Sequence, residues 1–135
     1  MMDRDTHCIQ GELFEYLPAP TATEFPVGHM AAVDATGLLH LAADAEGLVV
    51  VGRIERGLRH GRVTVRRGVF NWEKAAATPP TAANLGQFVY VADSETVSVA
   101  AGVNGIVAGV LLKVDDFAWV DTGFVRKDLD PAAAG

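Results

Sequence analysis

The chain has 135 residues, half of them apolar, with 14 glycines, few aromatics, a single cysteine and a net charge of −6. That length and apolar fraction fit one folded domain with its own hydrophobic core, and they exclude a disordered acidic chain. With Cys8 alone, an internal disulfide framework and any multi-cysteine zinc site are excluded, and a reducing compartment is expected.

The opening MMDRDTHCIQ has no basic stretch leading into an apolar one, so no secretory signal is read and the protein is expected to stay in the compartment where it is made. Residues 1–27 hold neither a helical nor a strand period for long. Pro18, Pro20 and Pro26 remove backbone donors and fix an extended φ, so "YLPAPTATEFP" is predicted as an irregular or polyproline-like arm. Leu13, Phe14, Tyr16, Leu17 and Phe25 on that arm need a surface to lie on, either their own domain or a neighbour, and they are the first candidate contact residues.

From residue 28 to 123 the chain becomes short β-type runs punctuated by glycine and aspartate. "HMAAVDATGLLHLA" predicts a hairpin turning near Ala35-Thr36-Gly37, and "GLVVVGRIERG" a buried strand. "GRVTVRRGVFNW" alternates, with Val63 and Val65 on one face and Arg62, Thr64 and Arg66 on the other. Its phase slips at Arg67-Gly68, where a β-bulge is expected to return Val69 or Phe70 to the core. Thr81, after a proline-rich loop, is placed to cap one helical turn ending near Gly86.

"QFVYVADSETVSVA" predicts a hairpin around Asp93-Ser94-Glu95, with Phe88 and Tyr90 opposite in face to Val89 and Val91. "GIVAGVLLKVDDFAWVDTG" supplies two more strand-length runs. Its longest apolar run, residues 106–112, is far short of the roughly twenty residues of a membrane helix, and no membrane association is expected. Residues 124–135 are expected to form a loose tail. The fold class is therefore all-β: a small antiparallel β-barrel or β-sandwich built of hairpins, preceded by an extended N-terminal arm.

Candidate chemistry is sparse. Asp115-Asp116 could be an acid pair, but neighbours on a strand point to opposite faces, and in a tight turn aspartates simply form the turn. His7, His29, His40 and His60 lack metal-ligand spacing, although His29 and His40 could face each other across the first hairpin. Ser94 and Ser98 have no nucleophile elbow, Cys8 lies in the arm, and "GVNGIVAG" fits no phosphate-binding loop. No catalytic residue, metal or cofactor is assigned.

Charge is uneven: residues 53–74 carry seven basic and two acidic side chains, a local +5 that leaves −11 for the rest. Such a patch can meet an acidic surface or a polyanion, or it can simply guard a strand edge. Phosphate neutralisation by Arg62, Arg66 and Arg67 would make the protein a nucleic-acid-binding β-barrel. The overall acidity and the lack of interleaved aromatics argue against nucleic acid as the main partner.

In the order of its segments the chain resembles the head-decoration, or capsid-cement, proteins of tailed phages. Over about residues 27–122, "HMAAVDATGLLHLA", "VGRIERG", the basic strand ending in "VRRGVF", "TAANLGQFVYVADSETVS" and "IVAGVLLKVDDFAWVDTG" follow the family's succession. Asp116 stands where that family commonly has glycine in the last turn. The resemblance implies a non-enzymatic virion protein on the capsid exterior, binding the major capsid protein, often as a homotrimer, and clamping neighbouring capsomers. Leu13, Phe14, Tyr16, Leu17 and Phe25 would then give apolar contact, and Arg62, Arg66 and Arg67 charge complementarity. Deletion of residues 1–27 is expected to weaken attachment without unfolding the domain. Trp119, two residues after Phe117 on one strand face, either plugs the core or packs against a neighbour. Enzymatic use of Asp115, Asp116 or Asp121 ranks behind both binding readings.

Overall fold

The computed structural model describes residues 13–22 and 24–124. His7, Cys8 and the predicted tail from residue 125 lie outside the described residues. Among the described residues ten strands form two units: β1 (Leu13–Tyr16), β2 (Met30–Val33), β3 (Leu39–Leu41), β4 (Val49–Arg59) and β5 (Arg62–Arg66), then β6 (Val69–Lys74), β7 (Phe88–Asp93), β8 (Thr96–Ser98), β9 (Val107–Val114) and β10 (Ala118–Asp121). The first five make a sheet in the order β1-β5-β4-β2-β3, and the last five close a barrel in the order β10-β6-β8-β7-β9. The fold is all-β, as the short alternating runs predict. Barrel closure uses one short parallel pairing, Glu73 with Thr96 and Lys74 with Val97.

The hairpins fall where their turn residues put them. In the first, Asp34 accepts the Thr36 and Leu38 amides at 2.9 and 3.1 Å, an Asx-type turn that leaves Gly37 at φ 82°. Thr81 caps the 3-10 turn Ala82–Asn84 with a reciprocal capping box, Asn84 Oδ1 accepting the Thr81 amide at 2.9 Å. In the β7–β8 hairpin Val89 and Val91 are buried while Phe88 and Tyr90 are half-buried, the split that alternation predicts.

Arg67-Gly68 behaves differently from the expected bulge. There the chain leaves the sheet after β5 and enters the barrel as β6, and buried Thr122 pins the passage by donating its hydroxyl and its amide to the Gly68 carbonyl, each at 2.9 Å. Phe70 does pack against the core, but Val69 stays 46% exposed.

Two cores result. The barrel core joins Trp72, Val89, Val91, Val97, Leu111 and Val120 to Met30, Ala32 and Val50 from the back of the sheet, so sheet and barrel share one interior. The second core lies on the sheet's other face: Ala31, Leu39, Ile54, Val63 and Val65, covered by Phe25.

The arm is part of this fold. Residues Leu13–Tyr16 pair antiparallel with β5, from Leu13 opposite Arg66 to Tyr16 opposite Val63. One residue later Leu17 accepts the Leu39 amide and the Ala19 amide donates to the Leu39 carbonyl, each at 2.9 Å, which ties the same segment to β3 at the opposite edge. Consecutive residues cannot reach both outer edges of a flat sheet of strands spaced about 4.8 Å apart, so the sheet rolls around its core. Phe25 and Ala19 are 6% and 3% exposed. Where an irregular or polyproline-like arm is predicted, Leu13–Tyr16 form a strand because β5 offers an edge to pair with, and the described residues before 27 pack into the β domain.

Candidate functional site

Among the described residues, basic side chains without an ion-pair partner gather where β4 turns into β5. His60 and Gly61 adopt φ 53° and 77°, the left-handed pair required by a two-residue type I′ turn. Arg59 and Arg62 therefore stand directly opposite each other.

β4 carries arginine at 53, 56 and 59, a spacing of three that a regular strand would send alternately to its two faces. Two register shifts cancel that alternation. Arg53 pairs with Arg66, Arg56 with Thr64 and Arg59 with Arg62, with irregularities after Ile54 and after Arg56. Directly opposed residues share a face. With Val63 and Val65 buried, all three β4 arginines join Arg62, Thr64 and Arg66 on the outer face, beside Leu13 and Glu15 of β1. Arg56, Arg59, His60, Arg62, Thr64 and Glu15 line an open hollow of about 470 Å³ there.

The opposed arginine pairs differ in their surroundings. Between Arg53 and Arg66 lies Glu55, whose Oε1 is 3.2 Å from each guanidinium. The hydrogen bond from Arg66 outweighs the opposing desolvation and, with the charges of both arginines, holds the Glu55 carboxyl below its ordinary range. Among the described residues no carboxylate lies within ion-pair distance of Arg56, Arg59 or Arg62.

The predicted contact residues divide accordingly. Arg62 belongs to the hollow, Arg66 is paired with Glu55, and Arg67 stacks over the Phe14 ring at 5.3 Å, away from the row. Arg62, Arg66 and Arg67 therefore do not stand in one row: Arg66 contacts Glu55 and Arg67 lies over Phe14. On the arm, Phe25 is buried in the chain's own core and Tyr16 is half-buried, its hydroxyl pKa raised by that burial; this corrects their expected availability to a partner. Leu13, Phe14 and Leu17 remain 46%, 37% and 49% exposed.

Trp119 does not plug the core. Ala118 and Val120 point inward, and Trp119 is half-buried on the outside of the barrel. Its indole N–H donates to Asp115 at 3.1 Å, and the Lys113 ammonium lies 5.5 Å from its ring. Asp115 also accepts the Phe117 amide at 2.9 Å; this bond first, then the indole's, lowers its pKa, so the aspartate pair is a capped turn.

The two histidines of the first hairpin also take separate partners: His40 Nε2 sits 2.8 Å from Asp34 Oδ2, and His29 Nδ1 2.8 Å from Ser94 Oγ. No group of three metal-ligating side chains occurs among the described residues.

Sequence reasoning missed Arg56, Arg59, His60 and Glu15 as members of one site. "RHGR" held the local signal, since a two-residue His-Gly turn sets its flanking arginines face to face. The fold and this basic tip define an all-β protein with one rolled sheet, one barrel and an exposed cationic hollow. No family model matches the chain, and no curated protein or solved structure matches it.

Proposed function

We propose that the chain is a structural, non-enzymatic virion protein that binds the outside of a phage capsid and stabilises it by clamping neighbouring capsomers. The observation that carries this reading is the outer face of β1-β5-β4. It presents three arginines that make no ion pair with a carboxylate among the described residues, and the same face carries exposed Leu13 opposite Arg66, a combination suited to an acidic protein surface with apolar contacts. The succession of segments that resembles the capsid-cement proteins, here lying on β2–β3, β4, β5–β6, the capped turn with β7–β8, and β9–β10, is the sequence argument for it. Self-association as a homotrimer and a place on the capsid exterior belong to the same reading. Many copies would multiply modest single contacts.

Sedimentation of the purified chain with expanded, undecorated phage heads tests it. Saturable co-sedimentation and greater resistance of the heads to heat are expected. Heads that neither retain the protein nor gain resistance would rule the proposal out.

A further inference from the structure

We propose that the hollow at the β4–β5 tip is a receptor for an acidic peptide segment of a partner protein, whose carboxylates are taken by Arg56, Arg59 and Arg62. The inference rests on the capsid reading only for which protein carries the segment.

The first argument is local frustration. Like charges directly opposite on a ladder destabilise it, yet Arg59 faces Arg62 at the hairpin end with Arg56 on the same face. The same two strands show how the fold relieves such a pair, by setting Glu55 between Arg53 and Arg66. At the tip Glu15 lines the hollow but makes no ion pair with Arg56, Arg59 or Arg62 among the described residues, so an anion from outside completes the arrangement. A rule broken locally with no compensation nearby is the mark of a functional site.

The second argument concerns the shape of the ligand. Guanidinium forks suit carboxylates and phosphates alike. A nucleic acid needs a track of cations and rings for its bases. Here the basic row stops where Arg66 meets Glu55, no Phe, Tyr or Trp lines the hollow beside the turn residue His60, and Glu15 on its rim repels a dense polyanion. A few carboxylates on a peptide fit a hollow of about 470 Å³, and exposed Leu13 on the same outer face offers contact to an apolar neighbour in the segment.

Calorimetric titration of the full chain at low salt tests the proposal, using a short glutamate-rich peptide, its glutamine counterpart, a single-stranded oligonucleotide and inorganic phosphate. Binding of the glutamate peptide alone is expected, weakened about tenfold or more by moderate salt. The combined Arg56→Ala, Arg59→Ala, Arg62→Ala variant should lose it, the single Arg62→Gln variant should weaken it severalfold, and Lys113→Ala should retain it. Circular dichroism confirms folding of each. Absence of peptide binding, unchanged binding by the arginine variants, or tighter binding of the oligonucleotide would each overturn the proposal, the last in favour of nucleic acid. Head decoration separates the two claims. If the triple variant loses the peptide but still decorates heads, the capsid is not the carrier of the segment. If the wild type binds the peptide but no heads, the capsid reading fails and the receptor stands.

Discussion

Glu55 Oε1 lies 3.2 Å from the Arg66 Nε and equally close to Arg53 Nη1, so one carboxylate bridges two arginines that oppose each other across β4 and β5. This bridge separates a structural cation pair from the exposed one six residues further along β4. It also makes Glu55 the place where charge and stability meet.

Glu55→Gln is expected to lower stability at neutral pH by about 1 kcal/mol, since the network is about one-third exposed and screened by solvent. The folded-state pKa of Glu55 lies below its ordinary value of 4.5. Its contribution is therefore complete above about pH 4.5 and is lost as pH falls through the depressed value. Urea unfolding at pH 7 and near pH 3 should show the gap between wild type and variant narrowing in acid. A gap that widens in acid would contradict the assignment.

Arg59→Glu should have the opposite sign. Replacing one of two opposed arginines by an acid turns repulsion into attraction across the ladder, worth about 0.5–1 kcal/mol of added stability. The same change should abolish binding of the glutamate peptide. Thermal melts beside the titration would reveal the trade; a destabilised variant would mean that the tip is already compensated.

Removal of residues 1–27 should do more than weaken a contact. It strips β1 from β5, unties Leu39 and uncovers Ile54, Val63 and Val65. Phe25→Ala alone should cost about 3–5 kcal/mol by opening a cavity over those residues. Truncation should therefore expose the second core to a hydrophobic dye, whereas truncation before Leu13 leaves every described contact in place. A folded, dye-silent protein starting at residue 28 would refute the integral arm.

The two tryptophans should separate cleanly. Trp72 is 3% exposed in the barrel core, and Trp72→Ala should cost about 3–5 kcal/mol. Trp119→Ala gives up one hydrogen bond and a cation–π contact at the surface, about 1 kcal/mol. In single-tryptophan variants, acrylamide should quench Trp119 and leave Trp72 protected. Equal quenching would show that the barrel does not enclose Trp72.

The first hairpin turn and the cap were legible because their causes are local: Asp34 bonding its own following amides and Thr81 reciprocating with Asn84. Only part of the candidate site was legible in this way. Arg62, Thr64 and Arg66 alternate on a regular strand, so their common face follows from the sequence. Arg56 and Arg59 do not alternate with Arg53, and only the two register shifts in β4 align them.

By itself the sequence determined a β protein of short hairpins, the inward and outward faces of β5 and β7, and a cluster of positive charge in an acidic chain. Tertiary structure decided how those parts meet. Sheet and barrel part at Gly68, β1 finds β5 some fifty residues away, the arm bridges two sheet edges, and Glu55 neutralises one arginine pair and not the other. The physical reason is range. Turns and alternation are fixed by neighbouring residues, whereas strand partners and registers depend on which distant backbone and side chains complete the same buried ladder.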